Sequence, residues 1–247
     1  MGESAPLVKM VNIHKWFGKV YALKGVNFTV NHAEVVGLVG DNGAGKSTLI
    51  KILSGIYPPD EGKIYFEGKE VRFSSPKEAM KLGIETIHQD IVLASLMSIA
   101  RNIFMGRELE NRVGIIKLLD LKKMREESIK ALSDIGLFIT DPDTIVENLS
   151  GGQRQGVAIA RAMYFKTKLL ILDEPTNNLS VKESARVLEF IKGLKNAGIS
   201  SIFITHNLHH VYPVADRIVV LSHGRNVGTF RKEETSIEHI TQMITAE

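Results

Sequence analysis

The stretch "GDNGAGKST", Gly40 to Thr48, constrains this chain more than any other. It matches the pattern G-x-x-x-x-G-K-[ST], which cradles phosphates only when a strand precedes it and a helix follows. Both are expected here. "AEVVGLVG" has the apolar run of a buried strand and ends at Gly40. "GKSTLIKILSGIY" places Leu49, Ile50, Ile52, Leu53 and Ile56 at helical spacing, and Pro58 and Pro59 stop it. Gly40, Gly43 and Gly45 free the backbone for turns that aim successive N–H groups at an anion, at the positive end of the helix. Lys46 supplies a point charge for β- and γ-phosphates, and the Ser47 hydroxyl suits Mg²⁺. Asp41, Asn42, Ala44 and Thr48 complete the expected nucleotide loop.

A second segment, "LLILDEP", completes that site. Four apolar residues bury a central strand and deliver Asp173 at its C-terminal end, where open α/β sheets bind ligands. Asp173 is expected to hold Mg²⁺ through water. Glu174 follows at once and points elsewhere, which suits it to polarise an attacking water.

The remaining pattern fits one domain over residues 1–247 of α/β class. Residues 1–89 and 160–247 are expected to form a P-loop NTPase core with a mixed, largely parallel sheet and an N-terminal antiparallel β subdomain. Residues 90–159 read as an inserted helical subdomain. "LVKMVNIHKWFG" and "YALKGVNFTV" read as strands, and "GKIYFEGKEV" as a hairpin turned at Glu67-Gly68. From Ile91 to Ile159 strand candidates are few. "LDLKKMREESIKALSDIGL" puts Leu121, Met124, Ser128, Leu132 and Ile135 on one helical face and its charges on the other. After Lys168 the alternation resumes: strand "KLLILD", helix "VKESARVLEFIKGLKNAG", strand "SSIFITH", a helix, and strand "DRIVVLS".

Composition closes several function classes. The 247 residues contain no cysteine, which excludes disulfides and cysteine-ligated zinc. The formal net charge of +3 is far from a nucleic-acid-binding field, so no nucleic-acid partner is expected. No apolar run approaches the roughly 20 residues of a spanning helix. A cytoplasmic chain is expected, with any membrane role exercised through a partner.

"ENLSGGQRQGVAIARA", Glu147 to Ala162, adds a second anion-binding turn. Ser150 is a candidate N-cap, and Gly151, Gly152 and Gln153 precede a helix pattern. An inserted helical arm would struggle to return this turn to its own chain's nucleotide. Two chains packed head to tail solve the problem, each turn meeting the other chain's nucleotide in an isologous dimer. Separate binding sites on one monomer are the alternative, and they leave Gln153 unexplained.

"LSGGQ" from Leu149 to Gln153, together with "GDNGAGKS" and "LLILDEP", resembles the nucleotide-binding subunits of ABC transporters over essentially the whole chain. The resemblance implies an ATP-hydrolysing subunit with ATP and Mg²⁺ as ligands, an ATP-sandwich homodimer, and multi-span permease subunits holding it at the inner membrane face. It also implies roles that spacing alone does not assign. Gln89 matches the glutamine that senses Mg²⁺ and the water and joins core to arm. His206 in "FITHN" matches the histidine that touches the γ-phosphate. Phe17 in "WFGKV" matches the aromatic that stacks on adenine, with Trp16 the second candidate. Residues Asn177 to Ser180 occupy the dimer-crossing loop.

Within that family, the P-loop segment and "EPTNNLSVKESARVLEF" look most like the ATPases of bacterial monosaccharide importers, which implies an indirect link to a sugar-binding protein. Ser180 stands where the family often has Asp, and Arg101 where these importers often have Glu. A non-transport ABC ATPase acting on nucleic acid or ribosomes is the second reading, although its usual coiled coils or zinc modules are missing. A GTPase would show N-K-x-D and a kinase an acceptor lid, and neither is evident. His206, His209 and His210 could be taken for a metal cluster, but no carboxylate or cysteine completes it.

Overall fold

The computed structural model describes residues 5–87, 93–113, 116–177 and 179–245. Two sheets pack through one core. The first is antiparallel and comprises β1 (Val8–Phe17), β2 (Val20–Val30), β4 (Glu61–Phe66) and β5 (Lys69–Val71), in the order β2-β1-β4-β5. The second contains β3 (Val35–Val39), β6 (Ile84–Ile87), β9 (Leu169–Asp173), β10 (Ser200–Ile204), β11 (Arg217–Ser222) and β12 (Arg225–Arg231), in the order β12-β11-β3-β10-β9-β6. Its strands run parallel except β12, which turns back along β11. A mixed sheet with an antiparallel β subdomain is the expected α/β architecture.

The parallel strands read as continuous apolar runs because both faces are covered. One face, with Leu38, Ile171 and Ile202, packs with the antiparallel sheet and α1 (Lys46–Leu53). The other, with Val39, Leu172 and Phe203, packs under α6 (Val181–Asn196), α7 (Leu208–Val211) and α8 (Ile237–Thr245). The short α2 (Pro76–Lys81) leads into β6.

A third core lies in the helical arm, formed by α3 (Ile99–Phe104), α4 (Leu121–Asp134) and α5 (Gly151–Tyr164). The anticipated face of α4 is the one that packs. Met124, Ser128 and Leu132 are buried, and the Ser128 hydroxyl returns to the Met124 carbonyl at 2.6 Å. The arm differs from the sequence expectation in one respect. β7 (Glu110–Val113) and β8 (Ile116–Leu119) form an antiparallel hairpin inside it. Strands of four residues are too short for a clean alternation, so the pattern gave little signal.

Helix α5 belongs to two cores at once. Val157 and Ala160 pack within the arm, while Ile159 and Ala162 pack against the sheet. A buried ionic cluster reinforces this junction. Glu85 of β6 accepts from Arg107 at 2.6 Å, the Arg107 guanidinium lies 4.4 Å from the centre of the Phe165 ring, and Arg161 of α5 donates to the Met105 carbonyl at 3.2 Å. Burial pushes the Glu85 carboxyl above its ordinary range, outweighing the pull of Arg107. Burial likewise lowers Arg161. Replacing Glu85 by alanine would leave the Arg107 and Arg161 guanidinium groups, whose charges oppose each other, without their carboxylate. Urea denaturation should register a loss of about 2 kcal/mol.

Candidate active site

The parallel register brings three strand ends to one edge. Ile204 of β10 lies opposite Leu38 of β3 on one side and Asp173 of β9 on the other. The loops leaving those strands carry the P-loop, the Asp173–Glu174 pair and His206.

The P-loop leaves β3 through Gly40 at φ 147° and enters α1 through Gly45 at φ 104°. A Cβ on Gly40 would overlap the Leu221 carbonyl oxygen, and one on Gly45 would lie 2.8 Å from Leu23 Cδ2, so neither position accepts a side chain. Lys46 is 8% exposed and folds its ammonium onto the Gly40 and Asp41 carbonyls at 2.7 and 3.0 Å. Burial lowers its pKa from 10.5, and Glu174, Asp173 and Asp41 oppose that shift, so both carboxylates of the second motif lie within its field. A cleft of about 370 Å³ opens over Asn42, Gly43, Ala44, Gly45, Lys46, Ser47 and Thr48.

Glu174 occupies the left-handed region at φ 52°, unusual for a residue with a side chain. Its N–H donates to the Ile204 carbonyl at 2.9 Å, which ties the β9 loop to the end of β10. Its Oε1 accepts from the His206 N–H at 3.1 Å and meets His206 Nδ1 at 2.9 Å. Its Oε2 is buried and has no partner among the described residues. An orphaned buried carboxylate oxygen beside a lysine and a phosphate loop fits a water donating to it. The donor set also fits Mg²⁺: a hydroxyl at Ser47, exposed beside the loop, and a carboxylate at the end of β9.

The aromatic expectations divide. Phe17 is 40% exposed and packs edge-on against Tyr57 at 5.3 Å between ring centres. It is not among the residues lining the cleft, whereas Val20 and Tyr21 are. Trp16 stacks on Tyr21 at 4.5 Å, so it backs the ring that faces the cleft. Lys24 and His223 also line the cleft, and no motif pointed to them. Gln89 lies outside the described residues, as does Asn178 of the segment Asn177–Ser180.

The second turn forms as its residues suggest. Ser150 caps α5, its hydroxyl accepting from the Gln153 N–H at 3.3 Å while Gln153 Oε1 accepts from the Ser150 N–H at 2.9 Å. This reciprocal box fixes the side chain of Gln153 at the start of α5. The turn does not line the phosphate cleft of its own chain. Ser150, Gly152 and Gln153 instead rim a separate groove of about 1,170 Å³ between α5 and α6.

A family model described as "ABC transporter" matches residues 23–177, from β2 through the β9 loop. The chain belongs to the ABC transporter family. It carries that family's ATPase cassette. Its relatives include the xylose/arabinose import ATP-binding protein XylG of Sulfolobus acidocaldarius, 51% identical over 97% of this chain and 94% of the relative. The fructose import ATP-binding protein FrcA of Rhizobium meliloti is 42% identical, with coverage of 97% and 94%. The ribose import ATP-binding protein RbsA of Clostridium tetani is 43% identical over 98% of this chain, which spans 48% of that longer protein. Among solved structures, a nucleotide-free ATP-binding cassette from an ABC transporter superposes with a TM-score of 0.84 at 27% identity, covering 98% of this chain and 100% of the other. A dimeric cassette in a post-hydrolysis state with ADP and phosphate gives 0.77 at 26% identity, covering 91% and 98%.

The capping box makes a stability prediction. Ser150→Ala removes one acceptor and frees Gln153, and chemical denaturation of the ABC ATPase should show a loss of about 1 kcal/mol.

Proposed function

We propose that this chain is the ATP-hydrolysing subunit of a membrane importer, that its cargo is a monosaccharide, and that it works as an ATP-sandwich homodimer. The cargo class rests on the sugar-import names of its relatives. The dimer is supported by one observation above the others: the Ser150–Gln153 turn and the phosphate cleft of the same chain line different cavities. A second copy brings the two together.

ATP enters over the P-loop. Its phosphates accept from the backbone N–H groups between Gly40 and Thr48, and Lys46 exchanges the carbonyls of Gly40 and Asp41 for phosphate oxygens. The base lies toward Val20 and Tyr21, and Phe17 reaches it by turning from Tyr57. Ser47 and Asp173, with Gln89, would hold Mg²⁺, which would supply charge neutralisation to the phosphates. Ser150, Gly151, Gly152 and Gln153 of the second copy then donate to the γ-phosphate. Each such charge-assisted bond is worth about 1.5–3 kcal/mol, and ADP offers no group for them to grip. ATP therefore favours the closed dimer through differential affinity alone.

Within the closed site Glu174 accepts a proton from the attacking water through its unpartnered Oε2. His206, 64% exposed at its side chain and held by Glu174 in the present arrangement, turns to the γ-phosphate. Loss of that phosphate releases the turn and reopens the dimer. The arm, carried on α5, transmits this cycle to permease subunits at the membrane. No helix among the described residues is long and apolar enough to cross a membrane.

Glu174→Gln should stop hydrolysis while preserving binding, and light scattering with ATP and Mg²⁺ should then report a dimer. A species that stays monomeric at high protein concentration would overturn the sandwich. Lys46→Ala should lower phosphate release by at least about 100-fold, because it removes the charge that the phosphates meet. Sugar uptake by cells in which the chain is deleted, compared across pentoses and hexoses, tests the cargo class.

A further inference from the structure

His210 lies four residues beyond His206, on the four-residue helix α7. Its Nδ1 is 2.9 Å from the Thr176 hydroxyl. Thr176 is 7% exposed and sits two residues after Glu174. Helix α7 is itself firmly seated. Asn207 caps it by accepting from the His209 N–H at 3.0 Å, and the Asn207 N–H donates to the Thr205 hydroxyl at 3.1 Å. Val211 packs so closely on Gly37 of β3 that a Cβ on that glycine would collide with it. A continuous path therefore runs from the strand that carries the P-loop, through Val211 and His210, to the loop that carries the catalytic carboxylate.

We propose that His210 is a positioning residue: it pins the Glu174 loop through Thr176 and keeps that loop in register with the P-loop strand when His206 leaves Glu174 for the phosphate. The proposal rests on the ATPase reading of Glu174 and His206. Among the described residues, four hydrogen bonds tie Glu174 and Thr176 to the segment from Ile204 to His210. Two of them, from the His206 N–H and Nδ1, depend on where His206 points. The Glu174 N–H to Ile204 bond and the His210–Thr176 bond do not. Glu174 holds a left-handed backbone at φ 52°, and the Asn177 N–H closes the turn on the Glu174 carbonyl at 3.1 Å. That closed turn would still pivot about its first residue, and the second tie, two residues later, prevents this.

The contact survives either protonation state of the imidazole. A threonine hydroxyl both donates and accepts, so it pairs with a bare Nδ1 or with Nδ1–H. His210 therefore acts through geometry, and its replacement should alter turnover without altering ATP capture. An offset of the order of 1 Å at a water-activating carboxylate is enough for a large rate loss.

The test is steady-state ATP hydrolysis by His210→Ala, His210→Asn, Thr176→Val, Thr176→Ser and the double variant His210→Ala/Thr176→Val, with thermal melting and equilibrium ATP binding for each. Turnover is measured with the chain alone or in its assembled complex, whichever hydrolyses ATP. His210→Ala and Thr176→Val should each lower kcat by about tenfold with KM changed less than about twofold. The double variant should match either single one, since both remove the same contact. His210→Asn, which keeps a polar group near the Nδ1 position, and Thr176→Ser, which keeps the hydroxyl, should recover most of kcat. Turnover within twofold of the parent in His210→Ala, multiplied effects in the double variant, or failure of both conservative variants would overturn the proposal. If His210→Ala does not fold, Thr176→Val against Thr176→Ser decides on the same criteria. A parent protein that releases no phosphate, or one whose Glu174→Gln variant still turns over, would instead overturn the underlying ATPase reading.

Discussion

The register of three adjacent parallel strands governs the whole catalytic half of this molecule. Ile204 stands between Leu38 and Asp173, so β3, β10 and β9 end on one line. The loops that follow them are then within hydrogen-bond reach of one another, and Glu174 can be held at a left-handed φ by a bond to Ile204. A slip of one residue in any of these strands would invert its side chains and send Leu172 or Phe203 out of its core. The burial of both sheet faces forbids that slip. Packing thus sets the site's geometry, and the polar contacts refine it.

The helical arm depends on the same sheet through one helix. Because α5 contributes residues to two cores, the position of Ser150 is set by packing at Ile159 and Ala162 as much as by its own capping box. The ionic cluster of Glu85, Arg107 and Arg161 lies where β6 meets this helix. Its desolvation makes it a poor source of stability and a good one of alignment, since buried charges accept few alternative arrangements. Arm and core meet along α5 and at this cluster.

Much of the architecture was legible in the residues. The glycine loop, the run "LLILD" and the face of α4 each carry a local signal, since turn geometry, burial on both sides and helical period act over a few residues. The capping box was half legible: Ser150 stood out as an N-cap, but Gln153 as its reciprocal partner needed the helix start. Contacts between distant elements were not legible. Nothing in "THNLHHV" ties His210 to Thr176, and nothing near Tyr21 announces that Trp16 stacks behind it or that it lines the cleft with Val20. The β7–β8 hairpin escaped because four-residue strands carry little periodicity, and β12 escaped because its inward positions are Asn226, Gly228 and Phe230, so its alternating burial has no matching alternation of apolar residues.

The absence of cysteine from the sequence permits a direct test of the central claim, that each copy completes the other's nucleotide site. Two single-cysteine forms are required, Asn42→Cys and Ser150→Cys, both in a Glu174→Gln background. Mixed with ATP and Mg²⁺ and then oxidised, they should form a disulfide-linked dimer, and the link should be lost when ADP replaces ATP. A mixture that yields no Asn42→Cys to Ser150→Cys linkage under ATP, while both forms still bind the nucleotide, would contradict the account.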